Sequence, residues 1–392
     1  MEDGMQNFEF QAGTKICFGR GQVEKLPEIL KVYGKNVLLV YGGGSIVKNG
    51  IYDQVSSLLS GRFNVITLGG VQPNPKIESV REGVRLCREN NVDVVLAVGG
   101  GSTIDCAKAI AGAVYYDGDA WDIVTNPERI GNVLPVVTVL TIAATGSEMN
   151  KNAVISNPEI NEKLGTSSMD FIPRASICDP VYTFGVSPRQ TAAGTADIMS
   201  HVFENYFKSE KGTYIQDRLG EGIIQACIKY CPIAMENPCN YDARANLMWA
   251  STMALNGLVG AGKGSTSFSC HPIEHELSAY YDITHGVGLA IITPQWMRHI
   301  LNESTARKFK KYTRNVFHVA DSCNDLEMAV IGIEKTEAFF KSIGLPSSLS
   351  EVGIGDEHLE EMAHNAVIHG KLDRAYVPLT DEDVLVILKN CL

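Results

Sequence analysis

Four of the nine histidines in this 392-residue chain fall in two short segments, each with a carboxylate at hand. In residues 193–201, AGTADIMSH, Asp197 and His201 stand four apart, a spacing that puts both side chains on one face of a helix. In residues 271–286, HPIEHELSAYYDITHG, His271, His275 and His285 lie within fifteen positions. One carboxylate and three imidazoles make a mixed oxygen and nitrogen donor set, suited to Zn2+, Fe2+ or another divalent transition metal. Glu204 and Glu274 compete for the carboxylate role, and spacing does not decide among them. Any one of these histidines alone reads as a surface or satisfied core residue. The grouping is what points to a metal.

A second chemistry is written in glycine. Residues 94–105, VVLAVGGGSTID, read as a strand, a glycine turn and the start of a helix. Gly99, Gly100 and Gly101 let the backbone approach an anion closely, and the free amides of the first helical turn point at it. Ser102 or Thr103 can cap the helix or donate to a phosphate. The spacing matches neither GxGxxG nor GxxxxGK[ST], and a single triplet of this kind also serves as a plain tight turn. Here, however, a second triplet, Gly42, Gly43 and Gly44, also follows a strand and leads into Ser45. That strand end has no acidic residue to bind a ribose 2′-hydroxyl. It offers small residues, the Ser45 hydroxyl and the Lys48 cation, which favours a 2′-phosphate and hence NADPH over NADH. The plainer reading of Lys48 is a solvated helix residue.

The elements that must position these residues alternate in the first half. Apolar runs at 36–41, 63–68, 92–98 and 133–140 are predicted strands, and the stretches between them carry helical periodicity, as at 103–114. Nearly continuous apolar strands alternating with helices mean a parallel sheet covered on both faces. From Ser187 onward the pattern is helical, with predicted helices at 191–206, 214–230, 241–258, 302–319, 325–343, 356–368 and 381–389. The expected fold is therefore α/β plus all-α. A Rossmann-like dinucleotide-binding domain spans 1–187, and a helical metal-binding domain spans 188–392.

Composition removes several function classes. With 45% hydrophobic and 20% charged residues, the chain has the apolar material for a core. Its net charge of −11 and the lack of a concentrated basic patch exclude broad nucleic-acid binding. No apolar run approaches the ~18 residues that would cross a bilayer. The acidic start, Met1-Glu2-Asp3-Gly4, has no apolar stretch behind it and does not read as a signal peptide. Ten cysteines include no CxxC pair, so reduced structural thiols and a cytoplasmic location are expected.

Together, GGGSTID (99–105), TIAATGSE (141–148), AGTADIMSH and HPIEHELSAYYDITHG resemble the iron-containing (group III) alcohol dehydrogenases. Within them the chain is most similar to the NADPH-dependent butanol dehydrogenase branch, and the likeness covers nearly its whole length. The resemblance implies that Asp197, His201, His271 and His285 bind Fe2+ or Zn2+, in a cleft between the two domains. It makes His275 a non-ligand histidine near the nicotinamide, our candidate proton relay. It assigns Gly99, Gly100, Gly101 and Ser102 to the pyrophosphate, and Gly42, Gly43 and Ser45 to the 2′-phosphate. Asn74, Thr138, Thr141, Thr145 and Lys163 would line the cofactor. The implied activity is NADP(H)-dependent oxidation of short-chain primary alcohols and reduction of aldehydes, such as butanol and butyraldehyde. Hydride would pass between nicotinamide C4 and the carbon bearing the metal-bound oxygen. A homodimer is also expected, paired through a sheet edge near 8–10 or 14–18.

Other readings fare worse. A fold relative acting on a phosphorylated polyol or sugar would want basic residues around the metal. Only Lys263 is near, among acidic Glu274, Glu276 and Asp282. A metallohydrolase would leave both glycine turns unused. Two departures from the family pattern bear on the site. Pro272 directly follows a proposed ligand, so the helix is expected to start or kink there. Residues 264–270 lack the tryptophan that the branch often carries, so the pocket is expected to differ in shape. Cys270, beside His271, would be an extra soft ligand only in a minor reading.

Overall fold

In chain order the strands are β1 (Lys15–Phe18), β2 (Asn36–Gly42), β3 (Asn64–Val71), β4 (Val94–Gly99), β5 (Val136–Leu140), β6 (Asn152–Asn157), β7 (Glu162–Ser167) and β8 (Ala175–Cys178). They belong to a computed structural model that describes residues 4–208 and 212–392, so Met1, Glu2 and Asp3 of the acidic N-terminus lie outside the described residues. Six strands form one parallel sheet in the order β1-β8-β5-β4-β2-β3, and β6 and β7 pair as a separate antiparallel hairpin.

The apolar runs explain the sheet. Successive side chains of a strand point to opposite faces, so a strand covered on both sides must be apolar throughout. Leu38, Val40, Val95 and Ala97 pack with Ile77, Val80, Ile104 and Ile110, from helices Ile77–Glu89 and Gly101–Ala113. Val37, Leu39, Val94, Leu96 and Val98 face the other way, onto Leu26, Leu30, Ile51, Val55 and Leu59. Fully burying each such Val, Leu or Ile contributes about 1.5–3 kcal/mol.

The strand order has a consequence for ligands. From β2 the sheet grows toward β3 on one side, and from β4 it grows toward β5 and β8 on the other. β2 and β4 are hydrogen-bonded neighbours, in register from Val37↔Val94 to Tyr41↔Val98. The order therefore reverses between them, and crevices at such reversals, beyond the carboxyl ends of the strands, are where open α/β sheets bind ligands.

The helical part contains Pro188–Tyr206, Tyr214–Glu236, Cys270–Tyr281, His285–Ile300, Ala306–Phe317, Asp325–Ser342, Leu359–Gly370 and Asp381–Asn390. Starts follow local chemistry. The Ser187 hydroxyl accepts the Gln190 amide ahead of Pro188, and Thr380 and Asp383 form a reciprocal capping box.

The chain forms two compact units. One comprises Gln11–Val186 with Asn237–Thr252, and the other Ser187–Glu236 and Met253–Leu392 with the segment ending at Phe10. The return of Asn237–Thr252 corrects the expectation that this stretch belongs with the helical half. It packs on the sheet unit, where the Trp249 ring lies 5.8 Å from Phe18 and the Thr252 hydroxyl donates to Glu148. The β6–β7 hairpin was not foreseen, because its polar residues (Asn152, Asn157, Glu162, Lys163) hide any apolar alternation. Pro272 stands in the first turn of helix Cys270–Tyr281, in keeping with a helix start there, whereas helix His285–Ile300, absent from the expected helices, carries Pro294 inside it.

Helix His285–Ile300 crosses Pro188–Tyr206 at close range. A Cβ at Gly286 would lie 1.9 Å from the Ala193 carbonyl oxygen, and a backbone atom cannot step aside. Gly286→Ala is expected to destabilise the protein by about 1–3 kcal/mol, measured by urea denaturation, and to lower its metal content.

Candidate active site

Helix Pro188–Tyr206 places Asp197, His201 and Glu204 on one stripe, at intervals of four and three. Helix Cys270–Tyr281 does the same for His271, Glu274, His275 and Ser278. His285 is the first residue of the next helix, reached through Asp282, whose φ of 49° turns the chain sharply.

These segments converge on one atom. Asp197 Oδ1 lies 3.3 Å from His201 Nδ1, 3.6 Å from His271 Nε2 and 3.7 Å from His285 Nε2. Donors ~2.1 Å from a tetrahedral ion would sit ~3.4 Å from one another, so the spacing suits a first-row metal. Asp197 Oδ1, His201 Nδ1 and His271 Nε2 are all buried, and none has a hydrogen-bond partner among the described residues. Three orphaned polar atoms aimed at one point are costly in a dry interior unless something binds there. A cation among them meets that need, and a carboxylate with imidazoles is the donor set for Fe2+ or Zn2+.

Glu204 and Glu274, left open by spacing, stand behind the imidazoles. Glu204 accepts His271 Nδ1 and also the amides of Ser269, of Cys270 at 2.7 Å and of His271 at 3.2 Å. It thus caps the start of helix Cys270–Tyr281, where Ser269 supplies no side-chain cap. Glu274 accepts His285 Nδ1 and the Ser278 hydroxyl. Each carboxylate fixes its imidazole's orientation and directs the far nitrogen, Nε2, toward Asp197. The sequence signal for this was present. Glu204 extends the Asp197–His201 stripe by one more turn, and Glu274 lies one turn from His271.

Charge follows from these neighbours. Burial alone would raise the Asp197 carboxyl, but the imidazoles, His201 first, hold it well below the usual carboxylate range. Burial pushes His201 down to about 3, overriding the attraction of Asp197. Burial would also lower His271, but Glu204 and Asp197 outweigh it and hold that ring up at about 9. A metal ligand must be deprotonated, so an ion held by His271 would displace that proton.

The two departures resolve simply. Pro272 sits in the first turn of its helix, where the missing N–H had no helical partner to lose. Cys270 is buried, and burial holds its thiol well above its ordinary range, so it is a core residue rather than a soft ligand. His275 lies beside the cluster, its ring 5.7 Å from that of His285 and 6.4 Å from that of His271. Lys263 has a buried side chain and gives its ammonium to Asp217 at 2.7 Å, so it is not offered to a phosphorylated substrate. Spacing gave no hint of Lys208. Its Nζ lies 4.8 Å from the Phe268 ring centre, and that ring is 5.5 Å from His271.

In the sheet unit the two glycine runs follow β2 and β4, the strands between which the order reverses. Helix Gly101–Ala113 begins there with no side-chain cap, leaving its first amides for a ligand. Residues 99–101 must be small. A Cβ at Gly101 would lie 2.3 Å from Thr145 Oγ1, and one at Gly100 would lie 2.1 Å from Ile142 Cγ2. Ser102, Thr141 and Thr145 are half-buried beside this turn, and Gly43 and Ser45 are exposed. Asn74 is buried with a φ of 49°, and Lys163 is buried in β7. Thr138 is fully buried in β5 and donates its hydroxyl to Ser176 at 2.7 Å, so it stands behind the 141–148 loop rather than on an open wall.

His271→Ala is expected to abolish stoichiometric metal binding. Glu204→Gln should keep the site but weaken metal affinity by about 10–100-fold, measured by competition with a chromogenic chelator.

The chain was compared with known proteins. The family model described as "Iron-containing alcohol dehydrogenase" matches residues 13–180, and that of the family's C-terminal domain matches residues 191–392. The chain is 54% identical over 388 residues to a protein of Clostridium acetobutylicum named NADH-dependent butanol dehydrogenase A, covering 98% of this chain and 100% of the relative. It is 38% identical over 369 residues to the NADPH-dependent aldehyde reductase YqhD of Escherichia coli, covering 93% and 94%. Its fold matches the crystal structure of NADH-dependent butanol dehydrogenase A from Thermotoga maritima with a TM-score of 0.95 at 40% identity, over 100% of both chains. On both halves of its sequence and on its fold, the chain belongs to the iron-containing alcohol dehydrogenase family.

Proposed function

We propose that this alcohol dehydrogenase interconverts short-chain primary alcohols and aldehydes, such as butanol and butyraldehyde, using NADP(H) and a divalent metal, Fe2+ or Zn2+. The observation that carries the reading is the buried Asp197 oxygen ringed by imidazole nitrogens at 3.3, 3.6 and 3.7 Å, with no hydrogen-bond partner among the described residues. Asp197, His201, His271 and His285 would hold the metal, which when bound supplies Lewis-acid polarisation of a substrate oxygen. The nicotinamide supplies or takes the hydride.

The chain's own groups do the rest. Glu204 and Glu274 keep the His271 and His285 rings aimed. His275, next to the ligands and half-buried, carries the hydroxyl proton between substrate and solvent. The uncapped start of helix Gly101–Ala113 and the turn at 99–102 take the pyrophosphate, with Asn74, Thr141, Thr145 and Lys163 around the cofactor. Thr138 supports that wall from behind through Ser176.

The preference for NADP(H) rests on residues 42–48. No carboxylate follows β2, and Gly43, Ser45 and Lys48 are exposed there for a 2′-phosphate. The names of the relatives divide on this point, NADH for the Clostridium protein and NADPH for the Escherichia coli one. The reading also includes a cytoplasmic homodimer, joined along the outer side of β1, which pairs on its inner side with β8. No helix among the described residues is long and apolar enough to cross a membrane.

Enzyme stripped of metal and reloaded with Fe2+ or Zn2+ is expected to oxidise NADPH with butyraldehyde faster than NADH. A preference for NADH would overturn the 2′-phosphate assignment and leave the dehydrogenase standing. His275→Ala should lower kcat while retaining metal; metal loss matching that of His271→Ala would make His275 a ligand.

A further inference from the structure

We propose that Lys108 is a positioning residue for nucleotide binding, holding the 141–148 loop against the glycine turn at 99–102; this rests on the cofactor reading above. Lys108 lies two turns into helix Gly101–Ala113 and is fully buried. Its Nζ donates to the Ser147 hydroxyl at 2.8 Å, the Asn150 carbonyl at 2.9 Å, the Asn150 side-chain oxygen at 3.1 Å and the Asn152 carbonyl at 2.8 Å. An ammonium has three N–H groups, so all are engaged and one is shared.

The residues it grips hold Thr145 in turn. The Ser147 amide donates to Thr145 Oγ1 at 3.2 Å, and the Asn150 side-chain amide donates to the Thr145 carbonyl at 3.3 Å. Thr145 lies over Gly101 so closely that a Cβ on the glycine would meet its hydroxyl at 2.3 Å. Contacts therefore run unbroken from Lys108, through Ser147 and Asn150, to Thr145 and the bare helix start. Asp105, one turn before Lys108, closes the clamp by accepting the Ser147 hydroxyl and the Val154 amide.

Core filling does not explain a charge here. Apart from Asp105, the neighbours of Lys108 along the helix are apolar, with Ile104, Cys106, Ala107, Ala109, Ile110 and Ala111 all buried. A methionine would fill the same space without desolvating an ammonium. Burial holds the Lys108 ammonium down at about 8, against the attraction of Asp105 and Glu148, the charged groups that face it. Above that pH a neutral amine has two N–H groups for four acceptors, and the clamp loosens.

The test uses the metal-loaded enzyme and two variants, Lys108→Met and Ser147→Ala. Kd for NADH and NADPH is read by nucleotide fluorescence, and KM and kcat with butyraldehyde. Both variants should raise nucleotide Kd and KM, by about 10-fold for Lys108→Met, the loss of a charge-assisted hydrogen bond. Aldehyde KM, metal content and saturated kcat should stay within about threefold of the parent. Parent nucleotide KM should climb as pH passes 8, whereas Lys108→Met should start high and stay flat. Unchanged nucleotide Kd in a folded variant, or equal loss in kcat and both KM values, would overturn the proposal. Should Lys108→Met fail to fold, Ser147→Ala decides alone. A parent enzyme that binds neither nucleotide would instead overturn the cofactor reading beneath it.

Discussion

A buried carboxylate oxygen without a hydrogen-bond donor governs the helical unit. Asp197 Oδ1 faces three imidazole nitrogens, two of them as orphaned as itself. In a dry interior one such group costs about 1–3 kcal/mol, and several together are not carried without a partner. The surroundings tune the group for a cation. Asp197 stays ionised, His201 stays neutral, and His271 holds a proton that can be displaced. A divalent metal would take a lone pair from every member of the set in one step.

The helices around this point are arranged by second contacts rather than by the ligands alone. Glu204 ties the Pro188–Tyr206 helix to the first amides of Cys270–Tyr281, in addition to orienting His271. Glu274 joins that helix to the start of His285–Ile300. Two carboxylates therefore do the work of helix cap, interhelical tie and ligand support together. Metal affinity and the packing of three helices would thereby be coupled. A change at Glu204 is felt both as a loosened helix start and as a freely turning imidazole.

Much of this was legible in sequence, and the gaps have physical reasons. Strands β2, β4 and β5 were visible because burial on both faces forces continuous apolar runs such as VLLV at 37–40. The DxxxH and HxxxHx9H patterns gave the converging residues because helix periodicity maps directly onto a face. Spacing could not tell a ligand from a supporting carboxylate, since Asp197 and Glu204 share a stripe and differ only in what meets them from another helix. The β6–β7 hairpin stayed hidden because its stability comes from packing on helix Gly101–Ala113, not from its own alternation. The Tyr241–Ala254 helix was legible as a helix, but nothing in its periodicity says that it returns to the sheet. That is fixed by long-range contacts such as Thr252 with Glu148.

The sheet explains why two glycine runs are needed where a single fingerprint is the common solution. β2 and β4 are adjacent, and their connections leave in opposite directions, so the crevice between their ends is walled by both turns. The turn after β4 leads into a thirteen-residue helix whose uncapped amides concentrate positive potential at one point. The turn after β2 leads only into the four-residue helix Ser45–Lys48, too short for a comparable dipole. The first turn thus suits the charge common to all dinucleotides. On the proposed reading the second would discriminate, through the exposed Gly43, Ser45 and the Lys48 cation. On that reading common affinity and cofactor choice would be carried by different strands, and a substitution in residues 42–48 would exchange one nucleotide for the other without disturbing the anion site that both use.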